Sequence, residues 1–177
     1  MKNINSRRIT AVAAIVLGAL AVIPVSLRAD ERPNRDSKSY QVISFDERIT
    51  SFNGTNGTLD GNVVLAGKFN DKGTRHEQFK VISASNDGST AVIDGTGTIT
   101  TAGGTIDLRF TGTIHFVSAG FYYVEGPEII TGGAGAFAAA RGKGSFVATQ
   151  DNTDGAPHVV GTLELKMQSD KKDKSDD

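Results

Sequence analysis

The amino-acid sequence predicts an all-β domain, one closed antiparallel barrel of eight strands. Three observations lead there. Apolar and polar residues alternate with a period of two over most of residues 40–168, Gly-containing turn signals interrupt the alternation at short intervals, and Gly recurs inside the strands. Glycine within a strand permits the sharp bending that closure of a sheet needs, which favours a barrel over a sandwich.

The chain starts with Lys2, Arg7 and Arg8, then runs uncharged from Ile9 to Leu27 before Arg28, Ala29 and Asp30. A basic start, an apolar core and a small residue at a polar boundary describe a secretory signal peptide over residues 1–29, with cleavage after Ala29. Pro24 favours processing. The apolar run also approaches the ~20 residues that span a bilayer, so an uncleaved anchor is the alternative, and the only membrane contact expected. Either reading places the barrel outside the cytoplasm, secreted or in the periplasm or cell envelope. Residues 30–39, charged and carrying Pro33, read as a linker. Residues 169–177 mix acidic and basic side chains without a large apolar one and read as a disordered charged tail.

Between these ends the strands fall at about 40–50, 58–69, 74–85, 89–101, 105–118, 120–131, 143–150 and 158–168. The alternation is clearest in Ile106, Leu108, Phe110, Ile114 and Phe116, and again in Val159, Leu163, Leu165 and Met167. Asn53-Gly54, Asn56-Gly57, Asn70 to Gly73, Asp87-Gly88, Ala102 to Gly104 and Asp154-Gly155 supply the turns, and such short connections make neighbouring strands antiparallel. Ala136 to Arg141 is the one helical candidate. With 12 Phe and Tyr and no Trp, the chain lacks the aromatic girdles of an outer-membrane barrel, so a soluble barrel is expected.

Composition narrows the chemistry. A net charge of −1 gives no field for nucleic acid, and the absence of Cys excludes disulfides, thiolate metal sites, a Cys nucleophile and an acylated lipobox. His76 and His158 have no partner at metal-ligand spacing, no Ser lies in a G-x-S-x-G elbow, and nothing points to a metal or cofactor. Gly142-Lys143-Gly144-Ser145 misses a phosphate loop by an inserted Gly and opens a strand rather than a helix. The Asn-Gly-Thr triplets at Asn53 and Asn56 match the glycosylation signal but read more simply as hairpin turns.

The most specific stretch is Ile130 to Gly142: a strand end, a Gly-rich reversal, one large anchor and a run of small residues. Gly132, Gly133, Gly135, Phe137, Ala140 and Gly142 resemble the G-G-T-G-x-F-x-x-A-x-G segment of the allene oxide cyclase and dirigent barrel superfamily, with Ala134 in place of the Thr. Gly95-Thr96-Gly97 and Arg109-Phe110-Thr111-Gly112 are also similar to that group, and the likeness covers about residues 95–150. The resemblance implies a calycin-like eight-stranded barrel with a mostly apolar lumen, often a homo-oligomer, in which Phe137 plugs one end and the glycines supply positive φ. It also implies a cofactor-free isomerase, cyclase or coupling guide as one function class, without placing a catalytic residue.

Two further readings come from the residues. Arg109 and His115 share the polar face of a strand whose other face is apolar, so they are expected outside, with an Asp107–Arg109 pair. The strand Phe121 to Glu128 mixes aromatic and acidic residues on both faces. Phe121, Tyr123 and Glu125 share one face; Tyr122, Val124 and Glu128 share the other. Pro127 there implies an edge or a bulge. Glu125, beside aromatics, is the candidate acid or base, with Glu128 the second. Counting the inward bulk, the glycines at 61, 67, 95, 97, 112 and 161 leave space beside Phe110, Phe116, Leu163 and Met167. With Tyr123 these residues form the expected lining for a small apolar ligand. A filled barrel acting as an envelope interaction module is the third class.

Overall fold

The computed structural model describes residues 40–118, 120–151 and 158–168. The signal or anchor segment, the linker, the charged tail and the Asp154-Gly155 turn lie outside the described residues. Strands β1 (Tyr40–Phe52), β2 (Asn56–Gly67), β3 (Asp71–Ala84), β4 (Thr90–Thr101), β5 (Gly104–Ser118), β6 (Phe121–Gly135), β7 (Gly142–Asp151) and β8 (His158–Met167) follow in order. Each pairs antiparallel with the next, and β1 closes on β8 to complete the barrel.

All eight strands lie where the alternation puts them, and three local readings change. Asn56-Gly57 opens β2 instead of making a turn, because the reversal is completed earlier: Asn53 Oδ1 accepts the backbone N–H groups of Thr55 (3.1 Å) and Asn56 (2.8 Å). Residues 136–141 form no helix. Successive turns run there, with Phe137 N–H donating to Ala134 O and Ala140 N–H to Phe137 O. Pro127 occupies neither an edge nor a bulge, since the barrel has no edge and the register shifts of β5–β6 fall at Asp107/Leu108 and Phe116/Ser118. Its missing N–H is accommodated by a local gap, with Thr111 and Gly112 left out of the β5–β6 ladder.

The inward faces give the barrel two halves. In the half around the β2–β3, β4–β5 and β6–β7 turns, Ile43, Ile99, Ile106, Leu108, Leu163 and Leu165 are fully buried and fill the interior. Phe137 closes that end, its ring edge-on to Phe69 at 5.0 Å between centroids. Gln41 finishes the seal: its amide donates to Ala66 O and Phe69 O and accepts from Phe69 N–H. Of the four motif glycines, Gly135 alone has a positive φ, +63°. Gly133 serves close approach, since a Cβ there would lie 2.5 Å from Phe137 O.

The strand glycines do not leave the space expected of them. They stand opposite large inward side chains that lie across them, as Phe110 does on Gly95 and Phe45 on Gly161; an added Cβ would fall 2.4 Å and 2.5 Å from those rings. Gly112 is likewise packed, with Phe146, Val124 and Ile93 all 3.0–3.2 Å from a Cβ built there, so it does not border open space. Gly61 lies between Glu47 and Arg75 on the neighbouring strands. A Cβ on it would sit 2.1 Å from Asp46 O and 2.7 Å from Glu47 Cγ. Gly61→Ala should therefore lower stability by about 1–3 kcal/mol, as overpacking does. Chemical denaturation measures this, and an unchanged midpoint would contradict the packing described.

Candidate functional site

The half of the barrel opposite Phe137 is open. An interior cavity of about 50 Å³ is lined by apolar side chains of all the strands, among them Phe45, Leu59, Ile93, Phe110, Val124 and Phe146, and by three charged ones, Glu47, Arg75 and Glu77. Above it lies a mouth of about 390 Å³ bordered by Phe52, Val81, Ala84, Thr90, Phe116 and Gln150. Ile49, Phe79, Ile114 and Tyr122 line both spaces and form the collar between them.

The charged side chains come from inward positions of three strands. β1 contributes Glu47, β3 contributes Arg75 and Glu77, and β6 contributes Glu128, every one of them buried. Glycine across the ladder makes room for these long side chains: Gly61 faces Glu47 and Arg75, Gly97 faces Glu77, and Gly144 faces Glu128. Arg75 reaches across the lumen, where its Nη2 donates to Glu128 Oε1 at 2.8 Å and also pairs with Glu77. Its Nε is 3.6 Å from Glu47 Oε1, and its guanidinium lies over the Phe45 ring, 4.6 Å from the centroid.

One guanidinium thus faces three carboxyl groups. Burial opposes the charge on Arg75, but Glu77, Glu128 and Glu47 together outweigh it and raise its pKa, so it stays charged. The carboxyls respond the other way. Burial, reinforced by Glu77 and only partly offset by Arg75, pushes Glu47 up to about 8. Burial likewise pushes Glu128 up to about 7 against the pull of Arg75, and raises Glu77. The site therefore keeps at least one carboxyl protonated at neutral pH. Burial also pushes the Tyr122 hydroxyl at the collar up to about 12, which keeps it protonated. Several polar atoms have no hydrogen-bond partner among the described residues: both Glu47 oxygens, Glu128 Oε2, and Arg75 Nε and Nη1.

The residues singled out from the sequence divide between inside and outside. Phe110 lines the cavity and Phe116 the mouth, where it is 46% exposed. Leu163 and Met167 are buried but belong to the packed core and border neither space. Tyr123 and Glu125 point out of the barrel and do not reach the lumen. Tyr123 stacks on His115 at 4.4 Å, and Glu125 lies 3.6 Å from His115 Nε2. The outward placement of Arg109 and His115 follows the apolar alternation, but Arg109 pairs with Asp94 (3.5 Å) rather than Asp107, which accepts from Thr98. On one strand Asp107 and Arg109 are a full repeat apart, whereas Asp94 lies diagonally across the ladder.

Glu47, Arg75 and Glu77 were not singled out from the sequence, and Glu128 was noted only as a second candidate after Glu125. The signal was present. Glu47 has the parity of Ile43, Phe45 and Ile49, and Arg75 and Glu77 that of Phe79 and Val81. A charged residue in register with an apolar face normally argues against burial, because desolvating one ion costs several kcal/mol. Here the ions are buried together, which that argument for single strands does not weigh.

A scan of family models finds no match to the chain, and a search of curated proteins finds none. Among solved structures, a chain described as pyocyanin demethylase is 15% identical with a TM-score of 0.38, over 73% of this chain and 98% of that one. A nonspecific heme-binding cyclase, described as catalysing a 4 + 2 cycloaddition during neoabyssomicin biosynthesis, is 16% identical with a TM-score of 0.41, over 73% of this chain and 64% of that one. Values this low carry no argument about this chain. No family model supports the resemblance of the Gly132–Gly142 segment to allene oxide cyclase and dirigent barrels, and that resemblance places no residue of the site.

Proposed function

We infer that the protein is a binding barrel that takes a small, mainly apolar molecule through its open end. The carrying observation is that the apolar mouth and the interior cavity share a wall of four residues, Ile49, Phe79, Ile114 and Tyr122. The mouth falls in the size range of small-molecule sites, about 300–1,000 Å³, and has their character: apolar walls with a few convergent polar groups. The cavity below is too small for a whole ligand and suits an end group. The basic and then apolar N-terminus supports a location outside the cytoplasm for this activity.

A neutral fluorophore such as N-phenyl-1-naphthylamine should bind in the micromolar range, about −8 kcal/mol. Ala84→Trp should weaken that binding severalfold, because Ala84 is an exposed residue on the mouth wall and a bulky ring there obstructs entry without disturbing the core. Fluorescence titration of both proteins tests this. A folded wild type that takes up no probe refutes the reading, and undiminished uptake by the variant places the site elsewhere.

One observation favours a second reading, a cofactor-free isomerase or cyclase. A carboxyl that keeps its proton near neutrality inside an apolar cavity, as Glu47 does, is suited to act as a general acid on a bound epoxide or alkene. On that reading the acid is Glu47 in the lumen rather than the outward Glu125.

A further inference from the structure

We propose that the ligand of this barrel carries a protonated amine at one end, which enters the cavity to pair with Glu47 while the apolar body stays in the mouth. This deepens the binding reading above and rests on it. The first ground is the state of Glu47 itself. Its side chain is 1% exposed and lines the cavity, yet neither oxygen accepts a hydrogen bond from the described residues, and its one ionic contact is at 3.6 Å. A buried carboxylate without hydrogen bonds costs the fold free energy that a cationic donor would recover.

The second ground is the sign of the site. Arg75 is already committed to Glu77 and Glu128, so the cluster has two carboxyl groups more than guanidinium groups, three against one. Glu47 faces Glu77, Arg75 and Glu128 across the lumen, with Asp60 the next acidic group. A cation placed beside Glu47 relieves repulsion among these groups. A carboxylate ligand could use the open Nε and Nη1 of Arg75, but it would bring a fourth acidic group into a buried space. A neutral hydroxyl gains a hydrogen bond without the charge term. Bound metal is disfavoured by the arrangement, because Arg75 holds the centre of the carboxyl groups and no metal-holding set of His, Asp or Glu occurs among the described residues.

Calorimetric titration of the full chain with n-octylamine, n-octanol and n-octanoate separates these chemistries. At about pH 9 the amine is still charged, taking the lysine ammonium at ~10.4 as a guide, and Glu47, at about 8, is ionised. The amine should then bind about tenfold or more tightly than the alcohol, as a charge-assisted hydrogen bond allows, with octanoate weakest. The amine's advantage should shrink at about pH 6, where Glu47 is protonated, and Glu47→Gln should bring the amine-to-alcohol ratio to about one. Octanol binding as tightly as octylamine, or a ratio that survives in folded Glu47→Gln, overturns the proposal and leaves the binding barrel standing. No binding by any of the three overturns the binding barrel as well. If Glu47→Gln does not fold, the wild-type pH series decides: a ratio constant between about pH 6 and 9 rejects the role of Glu47.

Discussion

Arg75→Met should cost the fold about 3–5 kcal/mol, the penalty for removing one partner of a buried ionic cluster. Methionine fills similar space and can still lie against Phe45, so the loss isolates the charge rather than the packing. Without the guanidinium, Glu47, Glu77 and Glu128 face one another with no counter-charge in the lumen among the described residues. The loss should also depend on pH, with a definite sign. Burial raises the carboxyl pKa values above those of the unfolded chain, so the folded state holds protons that the unfolded state has released. Stability from these groups is complete below the unfolded carboxyl pKa of about 4.5 and is lost as pH rises through about 7 for Glu128 and about 8 for Glu47. Arg75 partly opposes that decline, so the variant's deficit should grow between about pH 5 and 8. Urea unfolding at both pH values measures it. A variant within about 1 kcal/mol of wild type at the higher pH would show that Arg75 does not compensate the carboxylates.

At the other end of the barrel, Phe137→Ala should cost about 3–5 kcal/mol, the range for deleting a buried phenyl ring. Phe137 is 3% exposed, holds Phe69 edge-on, and packs over Gly103 at the β4–β5 turn. The turn that delivers it depends on Gly135, whose φ of +63° disfavours any residue with a side chain and whose Cβ would meet Gly103 O at 2.4 Å. Gly135→Val should therefore destabilise as well, by at least the 1–3 kcal/mol typical of backbone strain. Thermal or urea unfolding of both variants provides the check, and wild-type midpoints would remove the plug from the description.

The two ends of the barrel differ in how far the sequence discloses them. The closed end was readable because its signals are local: Gly-rich reversals, one anchor ring in a run of small residues, and uninterrupted apolar parity through Ile99, Ile106, Leu108, Leu163 and Leu165. The open end was not. Glu125 and Tyr123 drew notice because acid and aromatic residues lie close together in the chain, yet strand parity directs both outward, beside His115. Of the glycines read as empty space, Gly95 is covered by Phe110, Gly161 by Phe45, and Gly61 and Gly97 by Glu47 and Glu77, a pairing set by ladder register rather than by any one strand.

By itself, the sequence determined the antiparallel meander of eight strands and the inward faces of β4, β5 and β8, because period-two alternation and tight turns act over a few residues. Only the tertiary structure decided that Glu47, Arg75, Glu77 and Glu128 meet in one lumen. They stand on β1, β3 and β6, and closure of the barrel is what brings Arg75 across to a residue 53 positions away. A lone inward charge on any of these strands would weigh against burial, and what offsets that cost is the company the other charges provide.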